Sequence, residues 1–236
     1  MPRERLIIRG NQRVAFAGKT NSGKTFMARH LLHSFPRLIA IDPKNVLWKP
    51  GWRTDYWSDK GVSELRKGNP ARIRISVPPT LDANDNPVWD DIFRVAWDIG
   101  DVTVYIDEMY SVCINGRLSW PLRRLYTQGR EMGIGVWACT QRPSFVPLEM
   151  FSEAEWSFLF MLRMEEDRKR VARAIGDDVL LQPIRDVHGF FMYFETWGKP
   201  IYKEIFDPKT GLGEENVAEL ESPDYSNAAY SKQRAS

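Results

Sequence analysis

Short apolar runs alternate with stretches of helical spacing along this chain. Apolar runs that stop at a glycine or a polar residue predict buried strands at residues 14–17, 38–41, 102–106, 134–140 and 156–162. Apolar residues at helical spacing predict helices at 27–32, 89–99, 118–132 and 165–175. Strands that alternate with helices indicate an α/β fold, with a mainly parallel sheet and helices on both of its faces.

Three segments depart from this alternation. Residues 43–70 are rich in tryptophan, lysine, proline and glycine and are predicted to be irregular. At 72–77, charged and β-branched residues alternate, which predicts an edge or half-exposed strand. Two runs at 189–194 and 200–204 predict a C-terminal β-hairpin, after which the chain turns polar. We therefore expect one domain over residues 1–206 and a flexible polar tail over 207–236.

Composition narrows the class of protein. The 236 residues are 43% hydrophobic and 27% charged, with a net charge of +2, so a soluble globular protein is expected and any nucleic-acid surface must be local. Cys113 and Cys139 show no metal-ligand spacing, and Cys139 is expected to pack as a small apolar residue in a reducing, cytoplasmic setting. No run approaches the roughly 18 apolar residues of a membrane span, so no membrane association is expected.

A glycine-rich pattern follows the first predicted strand directly. It runs Gly-x4-Gly-Lys-Thr over residues 18–25, and a predicted helix follows it. This pattern binds phosphate because its glycines let successive backbone N–H groups turn toward the anion. Lys24 is predicted to bridge the terminal phosphates of ATP, and the Thr25 hydroxyl to bind Mg²⁺. A purely structural turn is the alternative, but the strand–loop–helix context favours a nucleotide site. The predicted cofactor-binding residues are Gly18, Asn21, Ser22, Gly23, Lys24 and Thr25.

Asp107 and Glu108 end the predicted strand at 102–106. Both carboxylates should therefore lie at the carboxyl edge of the sheet, beside the loop 18–25. Asp107 is expected to hold Mg²⁺ and Glu108 to polarise the water that attacks ATP, which favours hydrolysis over phosphoryl transfer to a metabolite. The alternative is a pair of acids that cap a helix N-terminus, which would explain their position but not their neighbours.

Gln141 ends the next predicted strand, 134–140. An amide at this edge can contact both the attacking water and the γ-phosphate of ATP, and it can report hydrolysis to the segment that follows. The alternative is a simple hydrogen bond at the end of the strand. Together with Glu108 and Lys24, Gln141 is predicted to be catalytic.

Two consecutive segments carry a resemblance to a known family. Residues 129–135 and 138–144 have the sequences GREMGIG and ACTQRPS, and residues 42–44 are DPK. These resemble the corresponding motifs of the FtsK–HerA superfamily of DNA-pumping P-loop ATPases over roughly residues 12–180. The resemblance implies a RecA-like (ASCE) sheet. Because the chain has no room for the extra domains of the larger members, it is most similar to small viral genome-packaging ATPases.

The resemblance also implies an assembly and its substrate. Members of this type form rings, commonly of five or six subunits, that thread double-stranded DNA. A ring motor needs an arginine that acts across the subunit interface, and Arg130 is the first candidate because such motors place an arginine just before the glutamine strand. Arg142, Arg123 and Arg124 compete for this role, and a solvated helix face is the alternative for each. The polar tail is a candidate contact for a portal or capsid vertex.

Basic and aromatic side chains interleave after the second predicted strand. Lys44, Lys49 and Arg53 alternate there with tryptophans and tyrosine, a pattern suited to tracking DNA phosphates. The aromatic residues themselves are more readily explained as a satellite core or a subunit contact.

Two other functions stay open at this point. A filamentous-phage assembly ATPase of the zonula-occludens-toxin type has the same core. A cytosolic small-molecule kinase would also use the phosphate loop, although it would need neither the Asp-Glu pair nor Gln141.

Overall fold

A single mixed sheet forms the centre of the molecule. The computed structural model describes residues 8–45, 47, 54–76, 89–184, 189–194 and 202–205. Within them, nine strands pair in the order β3-β4-β2-β5-β6-β1-β7-β8-β9. The strands are β1 Val14–Ala17, β2 Arg37–Ile41, β3 Asp55–Tyr56, β4 Ala71–Ile75, β5 Thr103–Ile106, β6 Gly135–Thr140, β7 Trp156–Phe160, β8 Gly189–Phe194 and β9 Tyr202–Ile205.

The strands from β3 to β7 in this order are parallel, and β8 and β9 are added antiparallel as a hairpin. The predicted α/β class, the mainly parallel sheet and the C-terminal hairpin are thereby confirmed. Because parallel strands end at the same edge, the segments that follow β1, β2, β5 and β6 meet along one rim of the sheet. This rim positions the candidate site.

Helices cover both faces of the sheet. Residues of β1 alternate between the two sides: Val14 and Phe16 pack into one core cluster, and Ala15 and Ala17 into the other. Apolar residues of α1 supply the first cluster, whereas those of α3, α4 and α6 supply the second. The helices are α1 Lys24–Leu32, α2 Asp59–Arg66, α3 Trp89–Ile99, α4 Trp120–Gln128, α5 Glu149–Ser152 and α6 Glu165–Ile175.

The prediction of irregular structure over 43–70 is wrong for its second half, which contains β3 and α2. Helix α2 begins after Ser58, whose Oγ accepts a hydrogen bond from Gly61 N at 3.2 Å. Its apolar contribution is small, with only Val62 and Leu65 buried. An apolar stripe of two residues, preceded by Gly61, gives almost no periodic signal.

Two further elements differ in part from prediction. Strand β4 lies between β3 and β2 rather than at an edge, but Ala71, Arg72 and Ile75 are partly exposed, which agrees with the half-exposed alternative. The helix predicted at 118–132 ends at Gln128 and continues as the 3-10 helix Gly129–Met132. Gly133 then takes a left-handed backbone with φ of 72°. A Cβ there would lie 1.9 Å from Asp101 Oδ1, so the tight turn into β6 requires glycine.

No helix in the part of the chain that the structure describes is long and apolar enough to cross a membrane. The predicted tail, 207–236, lies outside the described residues. The domain boundary at 206 therefore stays a prediction.

Candidate nucleotide site

The loop after β1 is fixed by its neighbours on both sides. Gly18 N donates a hydrogen bond to Thr140 O at the end of β6, 3.2 Å away, and Lys19 N donates to Met161 O after β7 at 2.8 Å. A Cβ at Gly18 would lie 2.6 Å from the Cβ of Phe160 and 2.8 Å from Ser22 Oγ. Only glycine fits this close approach, which explains the first glycine of the pattern.

The rest of the loop curls into the N-terminus of α1. Asn21 and Gly23 have left-handed backbones, with φ of 61° and 102°. No acidic residue lies in the first turn of α1, all of which the structure describes, and Gly23 provides no side-chain cap. The N–H groups at this helix end therefore favour an external anion. Ser22 Oγ is buried without a hydrogen-bond partner among the described residues, which also fits a phosphate cradle.

Lys24 lies buried at the first position of α1, with its Nζ 2.7 Å from Lys19 O. Burial lowers the pKa of Lys24 below its ordinary value, and the nearby charge of Lys44 acts in the same direction. The charges of Glu108 and Asp107 oppose this shift. An ammonium held in such a poorly solvated position gains strongly from a nearby phosphate.

Thr25 and Asp107 meet, as the sequence predicts for a magnesium site. Thr25 Oγ1 donates to Asp107 Oδ1 at 3.1 Å, although 82 residues separate them. Tyr105 OH donates to the same carboxylate oxygen at 2.8 Å. Burial raises the pKa of Asp107, and its hydrogen bond with Tyr105 works against that rise. Hydroxyl and carboxylate oxygens are the ligands that Mg²⁺ takes alongside substrate phosphates and water, so these residues fit the ion.

Glu108 lies beside Asp107 but is paired differently. Its Oε2 accepts a hydrogen bond from Lys44 Nζ at 2.8 Å. Although Glu108 precedes the 3-10 helix Met109–Val112, its side chain makes no capping hydrogen bond. The alternative of a helix-capping acid therefore does not describe this carboxylate.

Gln141 contacts the phosphate loop directly. Its Oε1 accepts a hydrogen bond from Thr20 Oγ1 at 2.8 Å. The amide is thus linked to the loop 18–25 rather than only to the end of its own strand. This position is consistent with its predicted contact with the terminal phosphate.

The candidate arginines lie in different places. Arg130 precedes β6, at the amino edge of the sheet, so it lies across the sheet from the phosphate loop of its own chain. Its Nη1 is 3.5 Å from Glu155 Oε1, and its side chain is 55% exposed. Arg142 instead follows β6, where its Nε donates to Asp167 Oδ2 at 2.9 Å.

The two arginines of α4 make surface contacts. Arg123 Nη2 lies 3.3 Å from Glu149 Oε1. The guanidinium of Arg124 stacks over the ring of Trp97, with its Cζ 3.5 Å from the ring centroid.

The predicted DNA segment is only partly described. Lys44 pairs with Glu108, whereas Lys49 and Arg53 lie outside the described residues. Trp57 packs against the main core rather than in a satellite core, and Tyr56 is exposed beneath the guanidinium of Arg74.

Sequence reasoning missed three contributors to the site: Thr20, Tyr105 and Asp42. Tyr105 could have been recognised, because it lies in β5 two residues before Asp107, which directly follows the strand, and alternate residues of extended chain face the same side. Asp42 is fully buried and orders the turn after β2. Asp42 belongs to the motif DPK that contributed to the family resemblance, but the motif did not indicate that its side chain orders this turn.

No protein-family profile matches the chain. Its sequence is 28% identical over 175 residues to the DNA packaging ATPase P9 of Enterobacteria phage PRD1. This alignment covers 71% of the chain and 72% of P9. Its fold is similar to the genome packaging NTPase B204 of Sulfolobus turreted icosahedral virus 2 in complex with ATP-gammaS. That match has a TM-score of 0.65 and 15% identity, and it covers 83% of this chain and 100% of B204.

The N-terminal domain of zonular occludens toxin from Neisseria meningitidis is a weaker match. Its TM-score is 0.39 at 14% identity, with 63% of this chain and 76% of the toxin domain covered. The similarity to P9 and the fold shared with B204 confirm the predicted resemblance to small viral genome-packaging ATPases, and the chain has the α/β fold of a P-loop ATPase.

Proposed function

We propose that this chain hydrolyses ATP and uses the energy to move double-stranded DNA, as a viral genome-packaging motor. The observation that carries the proposal is the contact between Thr25 and Asp107 at 3.1 Å, beside a curled phosphate loop. It joins the two parts that a P-loop ATPase uses to bind Mg²⁺ and ATP phosphates. The similarity to P9, named as a DNA packaging ATPase, supports the choice of DNA as the substrate that is moved.

Each residue of the site has a separate role in this proposal. The loop N–H groups and Lys24 bind the phosphates, and Thr25 and Asp107 hold the metal. Bound Mg²⁺ would neutralise charge on the β- and γ-phosphate oxygens. Glu108 polarises the attacking water, and Gln141, linked to the loop through Thr20, orients that water against the terminal phosphate.

The motor is proposed to act as a ring of identical subunits, five or six in number. Arg130 supports this arrangement, because it is half exposed at the sheet edge opposite its own phosphate loop. An arginine in that position can stabilise the transferred phosphoryl group only at the site of a neighbouring subunit. Arg142, Arg123 and Arg124 have an acid or aromatic partner within the subunit, as Arg130 has in Glu155, so the position of Arg130 before β6 is what favours it.

DNA contact is assigned to the basic segment after β2, through Lys44, Lys49 and Arg53. The net charge of +2 is too small for diffuse attraction to DNA, so a local group of cations must supply it. Such contacts go to phosphates and should not depend on base sequence. We place the working motor in the cytoplasm of the host, with a transient contact between the tail and a portal or capsid vertex.

The proposal is tested by an ATPase assay of the purified chain, with and without double-stranded DNA of several lengths. We expect turnover that depends on Mg²⁺ and rises with DNA, and Lys24→Ala should abolish it. A kinase would instead transfer phosphate to a small acceptor without DNA dependence. Turnover that ignores DNA at low and high salt would contradict the motor function while leaving ATP hydrolysis intact.

A further inference from the structure

Two hydroxyl groups donate hydrogen bonds to the same oxygen of the Asp107 carboxylate. Thr25 Oγ1 lies 3.1 Å from Asp107 Oδ1, and Tyr105 OH lies 2.8 Å from that atom. Asp107 is only 4% exposed, and within the described part of the chain no group donates to its other oxygen, Oδ2. The two hydroxyls therefore restrain the carboxylate at one oxygen and leave the second available to an ion or its water.

The ring of Tyr105 is held in place by the sheet and by the core. Tyr105 is 0% exposed and belongs to the core cluster that α1 covers. Its strand β5 is paired on both sides, where Ala40 of β2 and Trp137 of β6 are its register partners. Because buried side chains at interior packing density sit in defined rotamers, the hydroxyl at the end of this ring has a defined position.

A thiol contacts the phenol from the neighbouring strand. Cys139 Sγ of β6 lies 3.3 Å from Tyr105 OH, and by distance alone either atom could be the donor. An ionised carboxylate only accepts hydrogen bonds, so the single O–H hydrogen of Tyr105 goes to Asp107, and the thiol donates to the phenol oxygen. Cys139, Tyr105 and Asp107 thus form a buried chain of hydrogen bonds that ends at the carboxylate.

We propose that Tyr105 is a positioning residue of the magnesium site, whose hydroxyl holds the Asp107 carboxylate in the orientation that binds the ion. The inference rests on the proposed function and adds a residue to the same site. Without this hydroxyl, Thr25 is the one remaining donor to the carboxylate among the described residues. Loss of a group that orients a metal ligand from outside typically lowers metal affinity or activity by about 10–100-fold.

The test measures how much Mg²⁺ strengthens nucleotide binding in Tyr105→Phe, which keeps the ring and removes only the hydroxyl. A fluorescent, non-hydrolysable ATP analogue is titrated into the protein with Mg²⁺ or with EDTA, and the ratio of the two dissociation constants is the gain from Mg²⁺. We expect this gain to fall about tenfold or more, while the affinity in EDTA stays that of wild type. Half-maximal turnover should require more Mg²⁺, and excess Mg²⁺ should restore most of kcat.

Tyr126→Phe is the matched control, because Tyr126 is also a buried tyrosine but its hydroxyl has no hydrogen-bond partner among the described residues. This variant should keep the full gain from Mg²⁺. If Tyr105→Phe melts at a lower temperature but keeps the wild-type gain, the hydroxyl is only structural and the inference is overturned alone. An equal loss of affinity with Mg²⁺ and with EDTA would overturn it as well. If Mg²⁺ does not strengthen binding to wild type, the proposed metal site itself fails, and the inference fails with it.

Discussion

Arg130→Ala separates a catalytic role from a structural one. Within the described part of the chain, the Arg130 side chain makes one long ionic contact, with Glu155, 3.5 Å from Nη1 to Oε1. Arg13 holds the same carboxylate more closely, through Nη2 at 2.7 Å, Nε at 3.0 Å and its backbone N at 2.6 Å. The buried charge of Glu155 therefore keeps its main partner when Arg130 is removed.

The expected magnitudes follow from this difference. An exposed pair of this length contributes about 0–1 kcal/mol, so Arg130→Ala should lower the melting temperature by at most about 2–4 °C. Arg13→Ala is the matched control. It removes the guanidinium that pairs with the buried Glu155, 6% exposed, which costs about 3–5 kcal/mol and lowers the melting temperature by roughly 6–20 °C. In contrast, loss of a trans arginine should reduce turnover by about 10³–10⁵.

The assay combines thermal melting with ATP turnover of single variants and mixtures. When Arg130→Ala and Glu108→Gln subunits are mixed, some interfaces take an intact glutamate from one subunit and an intact arginine from its neighbour. Turnover should reappear in the mixture although each variant alone is inactive.

Three results would refute this reasoning. Near-normal turnover of Arg130→Ala would transfer the role to Arg142, Arg123 or Arg124. An inactive mixture would argue against action across the interface. A melting-temperature loss as large as that of Arg13→Ala would make Arg130 a structural residue.

The remaining predictions concern separate parts of the molecule. Lys24→Ala should abolish binding of a fluorescent ATP analogue, whereas Glu108→Gln should bind it and hydrolyse ATP far more slowly; equal loss of binding would mean that Glu108 is misassigned. Gly135→Ala should lower the free energy of unfolding by about 1–3 kcal/mol or more, because its Cβ would lie 2.0 Å from Gly10 O; an unchanged denaturant midpoint would contradict this. Burial raises the pKa of Cys113 to about 12 and also raises the pKa of Cys139. Because the thiolate is the reactive form, a thiol reagent at pH 8 should label the native protein far more slowly than the protein in urea.

Local pattern was sufficient for much of the fold. Strand β1 and helices α3 and α6 have the predicted bounds. Strand β1 is a continuous apolar run that is buried throughout, and each helix has apolar residues at helical spacing on its buried face. The parallel sheet followed from the alternation of strands and helices. The phosphate loop was also predictable from the sequence, because its glycines are required by local features: the left-handed backbone of Gly23 and the close contacts around Gly18. Helix α2 was missed because its two buried residues carry too little periodic signal.

Pairing between distant segments was only partly predictable from the sequence. The motifs predicted that Thr25 and Asp107 would share a magnesium site, and the two residues are in contact, but nothing in the local pattern showed that Lys44 would pair with Glu108. Those contacts depend on which strands are neighbours, and Lys44 and Glu108 lie 64 residues apart. Strand order is set by packing across the whole sheet, with β2 beside β5 and β1 two strands away. The sequence by itself therefore determined which groups reach the rim, and only the tertiary structure decided which of them touch.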